Sequence, residues 1–508
     1  MDVYLGKSPT TSTVQSWIDN KTSRLNQTRL DQAVSRSLLA RFLEGEFEGI
    51  DPLATVAYWN YSCDKIGDPE HRQLAYEAAQ QSLVLLKNKN STLPLRVSKD
   101  VAMEHGSRAP VVAVIGPFAT HARWMYNRYA KVPLPGSPLL VSLADALARR
   151  AQSQTFHFEL RVEPGCTDAN TTTMCKSIDK AAVDAAVKGA DVIVVAVGSG
   201  EPVESETGGS SISQSLPGAQ AQLLQRAHAS GGRTVTVLFT TSPKTGRIDP
   251  HSNASWIDSY ADALLSAFYP QNGGATAIAD TLLGLVSPAG RMPTSWPTTS
   301  WDDGRILTGR LQEGGLTYRY NNRYNDSSSP HGVLFPFGFG LSYTVFRYSD
   351  LHVSPTSLTA LCANVTVTVK VSNIGDMGAA EVVQLYLAWG NRGAPGAAIT
   401  PRLQMAGFEK IFVPRSGSVE VTFVLQPRHL AVLRGASPNA STFLDGSNWA
   451  GGTVANPLWV VEPQKMQLWV GGQQPHQSVR APSNVVSSVF EVVGKATPVK
   501  HCPGGTPS

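Results

Sequence analysis

Residues 191–209, DVIVVAVGSGEPVESETGG, decide how the central part of the chain folds. After Asp191, residues 192–198 form an apolar run, rich in valine and isoleucine, that ends in glycine, which is typical of a strand buried on both faces. Glycine, serine and three glutamates, Glu201, Glu204 and Glu206, follow at once. The pattern predicts a core strand whose carboxyl end carries an acidic loop, residues 199–218.

Strands and helices alternate on both sides of this segment. Residues 111–117, 157–164 and 234–241 are β-branched runs bounded by glycine, proline or polar residues, and residues 139–152 and 177–190 are helical in pattern. This alternation predicts a mostly parallel sheet with helices on both faces. Such sheets bind ligands at the carboxyl ends of their strands, which is where the acidic loop is predicted to lie.

The flanking regions have other patterns. Residues 23–47 and 71–88 are predicted helices, and so few helices make a poor core without a partner for their apolar faces. From residue 350 onward the pattern becomes β. In NVTVTVKVSN, residues 364–373, valine alternates with polar residues, and similar short runs follow. They predict a β-sandwich of immunoglobulin or fibronectin type III kind.

Composition excludes some classes of function. The chain has 508 residues, of which 42% are hydrophobic and 16% charged, as expected for several globular domains. The net charge of +4 comes without a basic cluster, so we predict no nucleic-acid partner, and no apolar run is long enough to span a membrane. No histidine, cysteine or acidic cluster has metal-ligand spacing, and Gly198 and Gly200 lack the third glycine of a dinucleotide turn. We therefore predict no metal and no cofactor.

Other features favour the secretory route. Asn-X-Ser/Thr sequons begin at Asn20, Asn26, Asn60, Asn90, Asn170, Asn253, Asn325, Asn364 and Asn439. Cys166 and Cys175 bracket a short polar loop and could pair in an oxidising compartment, which leaves the odd number Cys63, Cys362 and Cys502. The first residues, MDVYLGKSPTTST, have neither the basic nor the apolar region of a signal peptide.

A series of motifs runs through the chain in an order that resembles glycoside hydrolase family 3, in its secreted β-xylosidase/β-glucosidase branch. They are PEHRQLAYEAAQQSLVLLKN, VAVIGPFAT, ADVIVVAVG, LPGAQAQLL, FYPQNGGATAIADTLLGLVSPAGRMPTSWP, LTYRY, FPFGFGLSYTVF and WVVEPQKMQLWVGG. The resemblance implies a (β/α)8-type barrel, an α/β sandwich and a fibronectin type III-like domain. It also implies retaining hydrolysis, in which an aspartate of the barrel attacks the sugar and a glutamate of the sandwich protonates the leaving oxygen.

The resemblance begins only at MDVYLG, which is similar to a family segment near the end of the barrel. Most of the barrel, with its nucleophile, is therefore expected to be absent from these 508 residues. The predicted parts are barrel helices and a linker (1–95), the α/β sandwich (96–300), a loop-rich connection (301–347), the fibronectin type III-like domain (348–495) and a tail (496–508).

Glu204 and Glu206 match the two glutamates of the family's E-x-E-G-x-D-R segment. The resemblance implies that Glu206 is the general acid/base, with Glu204 as the second candidate and Glu201 at the start of the loop. Glycine and serine replace the family's Asp-Arg pair at residues 209–211. Judged by the loop pattern alone, the glutamates are solvated surface charges.

Other candidates have structural explanations. The aromatic residues of LTYRYNNRY and FPFGFGLSY are either sugar-stacking or, more commonly, packing residues, and His71 is interpreted as structural. The predicted function is hydrolysis of terminal β-D-xylosyl or β-D-glucosyl residues, with a carbohydrate as the partner. The alternative is an inactive carbohydrate-binding or structural relative of such an enzyme. A flavodoxin-like binding protein is disfavoured because no phosphate-cradling loop is present.

Overall fold

The computed structural model describes most of the chain, which divides into two compact units, residues 1–73 and 74–508. The described residues are 11–20, 26–47, 63–98, 108–126, 130–167, 174–200, 203–204, 214–244, 256–298, 317–321, 332–359, 362–391, 400–434, 458–477, 484–499 and 502.

The described residues of the first unit include two complete α-helices and a short 3-10 helix. They are α1 (Thr11–Asp19), α2 (Gln27–Leu43) and the 3-10 helix Cys63–Lys65. Leu39, Phe42 and Leu43 are each more than half exposed, at 56%, 57% and 78%. The apolar exposure expected for these helices is therefore observed among the described residues of this unit. A third helix, α3 (Pro69–Ser82), begins in the first unit and continues into the second.

The second unit begins with a six-stranded sheet in the order β1-β6-β5-β4-β2-β3. Its strands are β1 (Val84–Asn88), β2 (Val111–Ile115), β3 (Glu159–Glu163), β4 (Val192–Gly198), β5 (Arg233–Phe239) and β6 (Ala263–Ser266). All neighbouring pairs are parallel except β1 and β6, which are antiparallel. The predicted, mostly parallel sheet is confirmed.

Helices cover both faces of this sheet. They are α4 (Leu143–Ala151), α5 (Lys180–Val187), α6 (Gln220–Ala229), α7 (Trp256–Tyr260) and α8 (Gly274–Leu282). Leu147 of α4 and Ile278 of α8 share one core with Val112 and Val114, the even-numbered apolar residues of β2. The odd-numbered residues of β2 belong to a second core with α5 and α6. Because successive side chains of a strand point to opposite faces, β2 is buried on both sides.

One predicted element is corrected. Residues 71–88 were expected to form a single helix, but α3 ends at Ser82 and β1 begins at Val84. Leu85 contributes to the first core, whereas Val84 and Leu86 contribute to the second. Neighbouring residues that must be buried on opposite faces fit the two-residue period of a strand. A helix at the sheet surface would leave part of the run exposed.

A β-sandwich follows the α/β region. Its five-stranded sheet has the order β10-β18-β17-β12-β13 and its three-stranded sheet the order β14-β11-β9. The strands are β9 (Phe346–Ser354), β10 (Ser357–Leu358), β11 (Val365–Asn373), β12 (Ala379–Trp389), β13 (Gln404–Val413), β14 (Ser418–Leu425), β17 (Gln464–Gly471) and β18 (Val486–Val492). The alternating valines of β11 are all buried in the core between the sheets, as their pattern predicts.

Smaller elements complete the described part of the chain. Two small sheets contain β7 (Trp296–Pro297) with β8 (Val333–Phe335), and β15 (Val432–Arg434) with β16 (Leu458–Val461) and β19 (Thr497–Pro498). The short helix α9 (Pro427–Leu430) follows β14.

Two disulfides stabilise the second unit. The expected pair Cys166–Cys175 is present, and Cys362 pairs with Cys502 across 140 residues of sequence. Cys63 is free and exposed. The odd number of cysteines is thus explained by one thiol and two bridges.

Candidate functional site

The acidic loop leaves the sheet at the point where the order of its strands reverses. The chain proceeds from β2 to β3 on one side and from β4 through β5 to β6 on the other, so this point lies between β2 and β4. Gly116 follows β2 and Gly198 ends β4, with φ values of 103° and 154°. A Cβ atom would lie 2.2 Å from the Ala196 carbonyl oxygen at Gly116 and 1.9 Å from that of Phe239 at Gly198. Glycine is therefore required at both strand ends, where parallel sheets bind ligands.

Glu204 lies in this loop and its carboxylate accepts many hydrogen bonds from the loops that follow β4, β5 and β6. Its side chain is only 6% exposed. The donors are Ser199 Oγ (2.7 Å), Thr240 Oγ1 (2.5 Å), the Thr241 amide and Oγ1 (3.0 Å each), the Ser242 amide (3.3 Å) and Oγ, and the Tyr269 hydroxyl (2.6 Å). Each oxygen is satisfied several times over, so the side chain fixes the start of the acidic loop to two neighbouring loops.

A buried lysine balances this charge. Lys244 Nζ lies 3.8 Å from Glu204 Oε1, and its side chain is 1% exposed. Burial lowers the pKa of Lys244, and the neighbouring carboxylate opposes that shift. Burial acts to raise the pKa of Glu204, but hydrogen bonds from Ser242, Thr240, Tyr269 and Ser199 outweigh it and hold the pKa at about 2. Glu204 is therefore ionised at neutral pH.

We expect this carboxylate to make folding stability depend on pH. The pKa of Glu204 is about 2 in the folded chain and 4.5 without interactions. Because the folded value is depressed, the contribution is complete above pH 4.5 and is lost as the pH falls toward 2, with a total of about 3 kcal/mol. Urea denaturation of wild type and Glu204→Gln at pH 6, 4 and 3 should give curves that converge as the pH falls.

The control for this experiment is Glu420→Gln, which changes an exposed glutamate on β14. Its difference from wild type should stay small at every pH. A stability difference between wild type and Glu204→Gln that is constant from pH 6 to pH 3 would contradict the assignment.

The three glutamates of the sequence prediction have different outcomes. Glu204, the second candidate for the acid/base, occupies an environment that suits an ionised anchor rather than a proton donor. Glu201 and Glu206 lie outside the described residues. The assignment of Glu206 as the acid/base therefore stays a prediction.

Aromatic residues that the sequence analysis did not single out lie at the same edge of the sheet. Phe118, just after β2, stacks on Phe239 at the end of β5 with ring centroids 4.6 Å apart. Trp124 contacts Phe118 edge-on at 5.8 Å and stacks on His121 at 4.4 Å. His121 and Trp124 are half-buried. The available signal was an aromatic and histidine cluster, FATHARWMY, directly after a strand predicted to end at this edge.

The other candidates have packing roles. Tyr318 stacks on Phe337 at 4.3 Å and contacts Tyr386 of β12 edge-on, so these aromatic residues of LTYRY and FPFGFGLSY belong to the packing around the β-sandwich. The amide of His71 donates to Asp68 Oδ1 at 2.8 Å, within the first turn of α3. Among the described residues, none of the histidine, cysteine and acidic side chains form a group suited to hold a metal. In the same part of the chain, no helix has the length and apolar character needed to cross a membrane.

Two family models match this chain. Residues 83–343 match the glycosyl hydrolase family 3 C-terminal domain, and residues 381–474 match the fibronectin type III-like domain. A β-glucosidase structure from Listeria innocua superimposes with a TM-score of 0.66 at 24% identity, covering 95% of this chain and 57% of its own. That likeness concerns the fold alone.

Sequence relatives give the same result. A β-xylosidase of Formosa agariphila is 30% identical over 441 residues, which are 85% of this chain and 55% of the relative. A periplasmic β-glucosidase of Salmonella typhimurium is 29% identical over 79% of this chain and 51% of its own length. The chain thus spans about half the length of the curated relatives it matches. The matched domains, their order and these relatives establish that the chain belongs to glycoside hydrolase family 3.

Proposed function

We propose that this chain contributes the proton-donor half of the active site of a retaining β-glycosidase, with Glu206 as the general acid/base. The observation that carries the proposal is the origin of the acidic loop at the strand-order reversal between β2 and β4. A loop at this position extends beyond the sheet and can bring a carboxyl group to a ligand held partly by another domain. Membership of glycoside hydrolase family 3 supports the reaction type.

The chemistry requires two carboxyl groups about 5 Å apart. One attacks the anomeric carbon and forms a covalent glycosyl intermediate, while the other gives its proton to the leaving oxygen. The second group then takes a proton from the water that releases the sugar. By family resemblance the nucleophile is an aspartate of the barrel, and we propose that it is supplied from outside these 508 residues.

The structural environment of Glu204 supports the choice between the two candidates. A proton donor must be protonated when the substrate arrives, but the pKa of Glu204 is held at about 2 by its hydrogen bonds. We therefore assign proton transfer to Glu206, two residues further along the loop, and loop anchoring to Glu204.

We propose that the substrate carries a terminal β-D-xylosyl or β-D-glucosyl residue, as in xylan or gluco-oligosaccharides. Relatives named β-xylosidase and β-glucosidase support both sugars. The half-buried rings of Trp124 and His121 lie near the same strand ends. Aromatic rings of this kind offer an apolar surface with a polar tip, which suits contact with a sugar ring.

The purified 508-residue chain tests the two-part site directly. We expect no enzyme-like turnover of aryl β-xylosides or β-glucosides, because a general acid alone contributes only about 10²–10⁴-fold. Sequencing the transcript upstream of Met1 should reveal an in-frame barrel, and the longer product should hydrolyse these substrates. Robust turnover by the 508 residues alone, abolished by Glu206→Gln, would show that the nucleophile lies within them.

One observation favours a second function, an inactive carbohydrate-binding or structural relative. Glycine and serine occupy residues 209–211, where the family segment has an Asp-Arg pair that helps to hold the loop. On this alternative, the longest in-frame product binds xylo-oligosaccharides in a calorimetric titration but hydrolyses neither class of aryl glycoside. Turnover by that product rejects the alternative.

We also propose that the chain passes through the secretory pathway. The two disulfides and the number of sequons support an oxidising compartment. The sequon asparagines among the described residues, Asn20, Asn26, Asn90 and Asn364, are all exposed. The last two belong to the second unit, whose fold can accommodate a glycan at each. We expect both to be glycosylated after expression through a eukaryotic secretory pathway. Mass spectrometry after enzymatic deglycosylation in H₂¹⁸O detects the glycosylated asparagines. The variants Asn90→Gln and Asn364→Gln serve as controls. Unmodified peptides at both sites would contradict the predicted glycosylation.

A further inference from the structure

Two neighbouring residues, Met174 and Cys175, contact both ends of the acidic loop. The amide of Gly200, near the start of the loop, donates to Met174 Sδ at 2.8 Å. The amide of Ala219, which directly follows the loop, donates to the Cys175 carbonyl oxygen at 2.7 Å. A single two-residue segment therefore contacts residues at both ends of the acidic loop.

This bridging segment is held in place from the other side. Cys175 is bonded to Cys166, and Cys166 pairs with Ile178 in an isolated antiparallel bridge. The amide of Asp179, the residue before α5, donates to the Gly165 carbonyl oxygen at 2.9 Å. The bridging segment lies between β3 and α5, and the disulfide joins it to Cys166, three residues after the end of β3.

The backbone of Met174 indicates that the segment is constrained. Its φ of 56° lies in the left-handed region that residues with side chains rarely adopt, and its side chain is completely buried. Such a conformation persists only where the surrounding structure enforces it, and it is common at functional sites. The adjacent disulfide and the burial of the Met174 side chain are consistent with such a constraint.

A second connection between the strand end and α6 does not involve the disulfide. The Gly198 amide donates to Gln220 Oε1 at 2.7 Å, and Gln220 Nε2 donates back to the Gly198 carbonyl oxygen at 2.9 Å. Both groups are buried. This pair of hydrogen bonds lies at the same edge of the sheet but is independent of the disulfide. Hydrogen exchange at the Gly198 amide should therefore not change when the disulfide is removed, so that this amide serves as an internal reference.

We infer that Met174 and Cys175, held by the Cys166–Cys175 disulfide, form a brace at the sheet edge, in which Met174 is a positioning residue for the Gly200 end of the acidic loop and Cys175 holds the Ala219 end. Its role in catalysis rests on the proposed function, since the brace acts on the reacting sugar only through Glu206. The brace itself is a property of this chain and needs no activity to be measured. Without it, the Gly200 and Ala219 amides lose their common attachment to residues 174–175.

Hydrogen–deuterium exchange of the 508-residue chain, resolved to single amides by fragmentation, tests this brace. In the double variant Cys166→Ser/Cys175→Ser, we expect the Gly200 and Ala219 amides to exchange at least about tenfold faster, while Gly198 changes little. The matched control removes the other disulfide in Cys362→Ser/Cys502→Ser. Its Gly200 and Ala219 amides should exchange as in wild type.

A second variant keeps the disulfide and removes only the sulfur acceptor. Met174→Leu should accelerate exchange at Gly200 but not at Ala219, with an unchanged thermal midpoint, since leucine and methionine have similar volumes. Unchanged exchange at Gly200 and Ala219 in the double variant overturns the inference. If the double variant does not fold, the Met174→Leu variant is used as the test instead. A Gly200 amide that exchanges in Met174→Leu at the wild-type rate then overturns the inference. The exchange experiment contains no sugar and does not depend on turnover. If the 508-residue chain exchanges as expected but the longer, barrel-containing product hydrolyses neither aryl glycoside, the proposed function alone is refuted.

Discussion

Replacing Glu206 with glutamine is expected to reduce kcat/KM about 10²–10⁴-fold for substrates with poor leaving groups, such as xylobiose or methyl glycosides. The measurement uses the product that contains both halves of the site. Glutamine has nearly the same shape as glutamate but cannot donate an acidic proton. An alkoxide leaving group needs that proton, whereas a dinitrophenolate leaves without it. The same variant should therefore lose much less activity toward 2,4-dinitrophenyl glycosides.

The two other glutamates of the acidic loop serve as controls for this result. Glu201→Gln should change kcat/KM little for either class of substrate. Glu204→Gln should lower the activity toward both substrates by similar factors, because it loosens the loop instead of removing the proton donor. A Glu206→Gln variant that loses the same factor for good and poor leaving groups would mean that Glu206 is not the acid.

Replacing Glu381 with alanine is expected to destabilise the second unit by about 3–5 kcal/mol, because it leaves a charged arginine without its buried partner. Arg291 Nη2 donates to Glu381 Oε2 at 2.6 Å, and the Tyr348 hydroxyl donates to Oε1 at 2.7 Å. The side chains of Arg291 and Glu381 are 8% and 1% exposed. Arg291 also donates to the carbonyl oxygen of Gly472, the residue after β17, at 3.3 Å, so this network joins the end of the α/β region to β9, β12 and the end of β17 in the β-sandwich.

A surface ion pair of the same β-sandwich provides the control. Arg415 and Asp376 lie 3.3 Å apart and are 66% and 97% exposed. Asp376→Ala should change the free energy of unfolding by less than about 1 kcal/mol. Both variants are compared by urea denaturation, and the double variant Arg291→Met/Glu381→Leu should recover much of the loss because it removes both charges. Equal shifts for Glu381→Ala and Asp376→Ala would contradict the structural role of the network.

Much of the fold could be predicted because its strands have strong local patterns. The core strand β4 and the alternating strand β11 were both placed within a residue or two of their positions in the structure. The strand β1 was missed because VLL directly follows a helical pattern, and only the sheet shows that this run is buried on both faces. Short apolar runs of this kind do not distinguish helix from strand.

The candidate site was predictable in place but not in detail. The loop after β4 was identified from its glutamates, and the strand-order reversal explains why a loop at that position suits binding. The partners of Glu204 come from residues 199, 240–242, 244 and 269, which have no pattern in common along the chain. Their convergence on one carboxylate depends on the pairing of β4, β5 and β6.

The sequence by itself determined the order of the domains, the periodicity of their strands and the position of the acidic loop. These properties follow from hydrophobic spacing, which each segment carries locally. Only the tertiary structure decided that Glu204 is an ionised anchor, that Met174 and Cys175 join the two loop ends, and that Arg291 and Glu381 connect two domains. Each of these depends on groups distant along the chain meeting in a low-dielectric interior. In such an interior, a charged or polar group is stable only when it is paired with other polar groups. The local sequence does not identify those partners, because they lie far away along the chain.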